Sequence, residues 1–247
     1  GSFAYSELST DVIGRYRMPQ GVLVVVETSA GQVRDASLEV LTPAKELANG
    51  GPVTAVVIGS GVEGVAGDVA ARGADRVLVV DASVVERYTT DGYTKAIEAA
   101  IQQADPKVVL LAGTTAGRDL GPYLAARAGT ACLTDCIKLT WNGEELVGIR
   151  PVYQGKMMTE VSLKQADRYF AVVRTTAYAT PEANGTGTVE PLQVEIGDGD
   201  LRVKLKDVAE KPSGGANLEQ AETVVVGGRG VGSQENFGLI EELAAAL

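Results

Sequence analysis

Late in the 247-residue chain, Thr223-Val224-Val225-Val226 runs into Gly227-Gly228-Arg229-Gly230-Val231-Gly232, and a helix-like run follows from Ser233 to Leu247. A β-branched segment, a glycine-rich turn and a helix, in that order, are how an α/β fold cradles a phosphate-bearing cofactor. Glycines let the backbone approach the ligand, and a helix N-terminus offers unpaired N–H groups with a partial positive charge. Arg229 adds a planar fork of donors suited to a pyrophosphate. The candidate cofactor-binding residues are therefore Gly227, Gly228, Arg229 and Gly230. On residue types alone, the competing reading is a strand-to-helix turn that needs positive φ and holds nothing. This strand and helix open a domain that the chain does not continue.

Little else could do chemistry. The sequence has no histidine, which removes Ser-His-Asp and Cys-His catalysis and most zinc sites. Cys132 and Cys136 stand four apart, wider than the usual redox spacing, and two thiols cannot close a zinc site. They read as small buried residues in a reducing compartment. Glu144-Glu145 and Glu241-Glu242 read as solvated faces. No catalytic residue and no metal ligand is singled out, so any chemistry must come from carboxylates, lysine, cysteine or a bound cofactor.

Composition sets wider bounds. Hydrophobic residues make up 45% of the chain and the mean hydropathy is +0.07, the profile of an ordinary globular protein. No run nears the roughly 18 apolar residues of a spanning helix, so membrane insertion is not expected. A net charge of −10 argues against nucleic acid and is compatible with a partner that is basic where it docks. No signal peptide is evident, and Gly1-Ser2 resembles a scar of tag removal.

The elements that must position the turn can be read from periodicity. Val22–Val26, Val53–Ile58, Arg76–Val80 and Lys107–Ala112 read as strands. Helical patterns lie around Leu38–Ala48, Val62–Ala71, Asp91–Ala104 and Arg118–Ala128. Continuous apolar strands separated by helices imply a doubly wound parallel sheet. Ile137–Trp141, Leu146–Pro151, Lys156–Leu163 and Phe170–Thr175 then read as strands of an antiparallel extension, with Asn142-Gly143 as a hairpin signal. Residues 189–207 should hold one or two further strands. The predicted fold is α/β. Its parts are an extension over 1–20, a nucleotide-binding-like domain over 21–210, a linker over 211–220 and the first βα unit of a second domain over 221–247. The loop Gly113–Gly117 ends a strand where open sheets hold ligands, yet it reads first as structural, with Arg118-Asp119 as a helix-end ion pair.

Three stretches, read together, resemble a known family. They are Gly113-Thr-Thr-Ala-Gly-Arg-Asp-Leu-Gly-Pro122, Arg150-Pro-Val-Tyr-Gln-Gly-Lys156 and Val224-Val-Val-Gly-Gly-Arg-Gly-Val-Gly-Ser-Gln-Glu-Asn-Phe237. In this order they resemble the α subunit of electron transfer flavoproteins, and the resemblance spans residues 21–247. It implies a heterodimer with a β subunit and an FAD held in the C-terminal domain, against Arg229 and the glycines beside it. It also implies an electron carrier rather than a classical enzyme. Such a carrier takes electrons from flavin dehydrogenases, such as acyl-CoA dehydrogenases of fatty acid oxidation, and delivers them to a membrane quinone reductase. The expected location is the cytoplasm, with the mitochondrial matrix as the alternative. Later FAD-contacting stretches of the family are absent, so the FAD site in this chain is expected to be incomplete. Two other readings stay open: a bifurcating member that also uses NADH, and a non-flavin scaffold or nucleotide-binding domain. The hairpin Arg150–Gly155 reads equally as a contact to the FAD domain or β subunit and as a simple bend.

Overall fold

The computed structural model describes residues 20–29, 31–164, 166–206, 221 and 223–247. The expected N-terminal extension, except Gln20, and the expected linker lie outside the described residues. The chain divides into two units, Gly1–Lys204 and Leu205–Leu247.

The first unit is organised by a parallel sheet. Strand β1 (Val22–Ser29) carries a two-residue antiparallel partner, β2 (Gln32–Val33), and is followed by α1 (Asp35–Glu39) and α2 (Leu41–Ala48). Next come β3 (Val53–Gly59), α3 (Glu63–Ala71), β4 (Arg76–Asp81), α4 (Thr90–Ala104), β5 (Val108–Ala112) and α5 (Thr115–Arg127). These strands are buried along nearly their whole length, so both faces must be covered. Alternation along β1 shows how: Val22, Val24 and Val26 pack with Leu41, Leu47, Ala66 and Val69 of α2 and α3 on one side. Leu23 and Val25 pack with Ile97, Ala100, Leu120 and Leu124 of α4 and α5 on the other. Burying each such side chain contributes about 1.5–3 kcal/mol before entropy is counted. The single helix expected over Leu38–Ala48 is divided at Val40, because Pro43 has no N–H for the carbonyl of Glu39.

Two features depart from expectation. Cys132–Cys136 forms a strand, β6, that the sequence pattern does not reveal. Of the four strands expected to extend the sheet, only β7 (Lys138–Asn142), β8 (Glu145–Val152) and β9 (Met157–Leu163) pair antiparallel, and they form a separate small sheet. The fourth, β10 (Tyr169–Val173), enters the parallel sheet between β5 and β6. Its five residues are all buried, which suits a central strand covered on both faces. With β11 (Thr188–Pro191) at the far edge, the parallel order is β11-β4-β3-β1-β5-β10-β6. The β7–β8 hairpin turns at Gly143-Glu144, with Gly143 at φ 61.

After β11 the chain crosses α4 as a strap rather than as a further strand. Leu192, Val194 and Ile196 seat in the core beside α4 and α5. Lys95 and Asp200 pair at 2.7 Å. Arg202 donates its backbone N–H to Asp91 at 2.9 Å and its guanidinium to Asp91 and to the Tyr123 hydroxyl, the latter at 2.9 Å.

In the second unit, residues 223–228 form neither strand nor helix. A strand needs a neighbour to accept its N–H groups, and no described strand pairs with this segment. Single 3₁₀ turns at Arg229–Val231 and Glu235–Phe237 lead into α6 (Gly238–Ala246), five residues later than the helical run was expected to begin.

Candidate functional site

The glycine-rich turn holds its shape through two contacts. A Cβ on Gly227 would lie 2.6 Å from the Phe237 ring and 3.2 Å from Ile240, so only glycine lets the turn close on the helix behind it. The Asn236 amide donates to the carbonyl of Val231 at 2.9 Å, and Gly232 sits at φ 82, where glycine is favoured. Phe237 and Asn236 thus do the positioning that the glycine pattern alone could not reveal. Gly228 and Gly230 have open space where a Cβ would stand. The Val231 and Gly232 N–H groups close the 3₁₀ turn onto Gly228 and Arg229, whereas those of Arg229 and Gly230 have no acceptor among the described residues. The Arg229 side chain is exposed and makes no hydrogen bond or ion pair within that same set.

This arrangement fits a diphosphate-bearing group in its donors: two free N–H groups, an uncommitted guanidinium and two glycines that allow close approach. It supplies nothing that could shift a proton or form a bond to substrate. Among the described residues no cluster of His, Cys, Asp and Glu could hold a metal. No described helix is long and apolar enough to cross a membrane.

The second place a ligand could sit is the crest of the parallel sheet, where β3 and β5 flank β1 and the winding direction reverses. Here the strand ends are tied to one another by hydrogen bonds. Glu27, near the end of β1, is 7% exposed. Its carboxylate accepts a short hydrogen bond from Thr114, and burial pushes its carboxyl above the ordinary range. Its backbone N–H donates to Ser37 at 3.0 Å. Thr114 also caps α5, accepting the Gly117 N–H at 3.0 Å. Asp81, at the end of β4, accepts the N–H groups of Gly61 and Val62, each at 2.8 Å, ahead of α3. A Cβ on Gly117 would lie 1.9 Å from the Ala112 carbonyl, so α5 presses directly on the strand end. The loop Gly113–Gly117 is therefore occupied in holding the fold together. The expected Arg118–Asp119 ion pair is not made among the described residues. Neighbours one apart on a helix point in different directions, and Asp119 instead accepts from Tyr88 and from Thr90, the latter at 2.7 Å.

On the β6 side, Asp135 stands at φ 62 and is held by both arms of Arg174, at 2.8 and 2.6 Å. That guanidinium, with Arg118 and Arg150 near by, keeps its carboxyl below the ordinary range. The left-handed residue also reverses the strand's alternation. Cys132 consequently packs on the α5 side of the sheet and Cys136 on the other, among Leu133 and Leu139. Burial raises both thiols, each to about 12. Arg150 donates to the Thr134 hydroxyl at 2.9 Å and ties the β8–β9 hairpin to this region, while Tyr153 at the hairpin tip is 74% exposed.

Comparison with known proteins agrees with both units. Residues 22–198 match the model of the electron transfer flavoprotein domain, and residues 217–247 match that of the electron transfer flavoprotein FAD-binding domain. The chain is 36% identical over 233 residues to the FixB protein of Clostridium saccharobutylicum, covering 92% of this chain and 70% of that one. It is 33% identical over 232 residues to the electron transfer flavoprotein α subunit of Bacillus subtilis, covering 93% and 70%. It is also 30% identical over 233 residues to the LctC subunit of an NAD(+),ferredoxin lactate dehydrogenase from Acetobacterium woodii, covering 92% and 56%. With both units matched and relatives a third identical over most of the chain, the chain belongs to the electron transfer flavoprotein family, as a relative of its α subunits.

Proposed function

We propose that the chain works as the α subunit of a heterodimeric electron carrier, paired with a β subunit and holding FAD at the turn around Gly227, Gly228, Arg229 and Gly230. The observation that carries this reading is the uncommitted Arg229 guanidinium beside two free N–H groups, in a segment that matches the family's FAD-binding domain. FAD supplies the redox chemistry. The chain's own residues bind and orient. Arg229 and the adjacent N–H groups hold the diphosphate, Gly228 and Gly230 admit it, and Gly227, Phe237 and Asn236 keep the turn in shape. The Gly1–Lys204 unit serves as a docking base.

In this reading electrons arrive from flavin dehydrogenases, acyl-CoA dehydrogenases among them, and leave to a membrane quinone reductase, with the protein resident in the bacterial cytoplasm. A second reading, a bifurcating carrier that also exchanges electrons with NADH, is favoured by the identity to the Acetobacterium woodii subunit. The test is to purify the protein with its β subunit, record the visible flavin spectrum, and assay reduction by an acyl-CoA dehydrogenase and, separately, by NADH. Flavin reduced by the dehydrogenase alone supports the first reading and reduction by NADH the second. A complex that neither carries nor takes up flavin refutes both.

A further inference from the structure

Arginines gather around Asp135 of β6. Arg174 follows the last residue of β10, Arg150 lies on β8 and Arg118 stands in the first turn of α5. All three lie close enough to Asp135 to hold its carboxyl below the ordinary range, Arg174 most strongly, through its two-armed contact. Three guanidiniums thus surround one carboxylate and leave a surplus of two positive charges, in a chain whose net charge is −10. The carboxylates of adjoining segments turn to other donors. Asp119 accepts from Tyr88 and Thr90, and Glu39 accepts the Thr176 N–H at 2.6 Å.

The three arginines differ in what they have left to donate. Arg174 commits Nε and one amino group to Asp135. Arg150 gives one amino group to the Thr134 hydroxyl at 2.9 Å, while its Nε and other amino group meet no acceptor among the described residues. Arg118 is exposed and makes no hydrogen bond or ion pair within that same set. The Arg174 and Asp135 side chains keep 42% and 37% of their surface exposed, so the cluster opens to solvent. A structural ion pair needs one arginine, and gathering two more beside it sets like charges against one another. What the additional forks supply is planar, two-pronged recognition of an oxyanion, with Arg150 and Arg174 already held in place. Charge sets the ligand class. A phosphate monoester carries about −1.5 to −2 near neutral pH and offers three acceptor oxygens, which matches the surplus, whereas a carboxylate would leave half of it standing.

We propose that Arg118, Arg150 and Arg174 form a binding site for a phosphate group on the first unit. The site needs neither flavin nor a partner subunit, so it stands or falls independently of the functional reading above. The test titrates the full chain with inorganic phosphate and, separately, with phenyl phosphate at constant ionic strength, followed by isothermal calorimetry. Wild type, Arg118→Gln and Arg229→Gln are compared, the last because the glycine-rich turn offers a second anion-binding fork. The Kd should rise about 10- to 100-fold in Arg118→Gln, the loss of charge-assisted hydrogen bonds, and stay at the wild-type value in Arg229→Gln. Arg118→Lys restores the charge without the fork and should recover only part of the affinity. Because Arg118 has no hydrogen-bonded partner among the described residues, the melting curve of Arg118→Gln should match wild type, which separates lost binding from lost folding. Tighter binding of phenyl phosphate identifies a phosphate monoester as the ligand, and equal binding identifies free phosphate. Binding of neither probe, equal binding in all three chains, or a loss in Arg229→Gln alone overturns the proposal.

Discussion

The hydroxyl of Thr114 donates to the carboxylate of Glu27 across the boundary between β5 and β1, 87 residues apart in sequence. The pair links the end of β1 to the loop after β5, where the sheet's winding direction reverses. Burial raises the Glu27 carboxyl above the ordinary range, so folding disfavours its charged form relative to the open chain. The stability this confers is complete below the ordinary carboxylate pKa and is lost as pH rises through the raised folded value. Glu27→Gln keeps an acceptor for Thr114 and removes the buried charge. It should raise the melting temperature at neutral pH by a few degrees, about 1 kcal/mol. The gain should vanish near about pH 4, where glutamate is largely protonated in both states. Thermal unfolding at the two pH values checks this, and a gain independent of pH refutes it.

Two glycines in helices should respond with opposite sign. Gly117 lies against the Ala112 carbonyl, which a Cβ would approach to 1.9 Å. Backbone cannot retreat as a flexible side chain can, so Gly117→Ala should cost about 3 kcal/mol or more. Gly67, exposed in the middle of α3, has nothing within 4 Å of its Cβ position. Gly67→Ala should stabilise by about 0.5–1 kcal/mol through helix propensity. Urea unfolding of both variants measures the contrast.

Arg229→Gln should weaken FAD retention by about 10- to 100-fold, the loss expected when a charge-assisted hydrogen bond is replaced by a neutral one. Because the side chain makes no hydrogen bond or ion pair with another described residue, the melting of the chain should not change. Flavin in the flow-through after ultrafiltration is the readout. Retention equal to wild type would remove Arg229 from the site.

The two cysteines should never join. They pack on opposite faces of the sheet, and both thiols are raised by burial to about 12. Under mild oxidant the native chain should keep the mass of two free thiols, and alkylation should become rapid only after denaturant is added. An internal disulfide in the native protein would contradict the strand geometry at Asp135.

The parallel sheet was legible because its strands are apolar without interruption, a pattern helices on both faces require. β6 was not, because Cys132-Leu-Thr-Asp-Cys136 is short, half polar and irregular at Asp135. The register of β10 depends on contacts with β5 and β6 that no local window contains. Around the candidate site, glycine spacing and Arg229 were readable, while the packing of Phe237 on Gly227 was not. The β-branched run Thr223–Val226 reads as a strand by propensity alone, but propensity without a pairing neighbour does not make one. Glu27 gave no signal at all, since its meaning lies in a threonine far along the chain.

The strap that ends the first unit has a mechanical consequence. Arg202 spans Asp91 on one helix and Tyr123 on the next, so the backbone leaves the base at a fixed point rather than fraying back towards β11. Arg202 is thereby a fixed point of the first unit, held to two helices at once. Replacing Arg202 would free the end of the strap from both helices in one step, while Leu192, Val194 and Ile196 stay seated in the core.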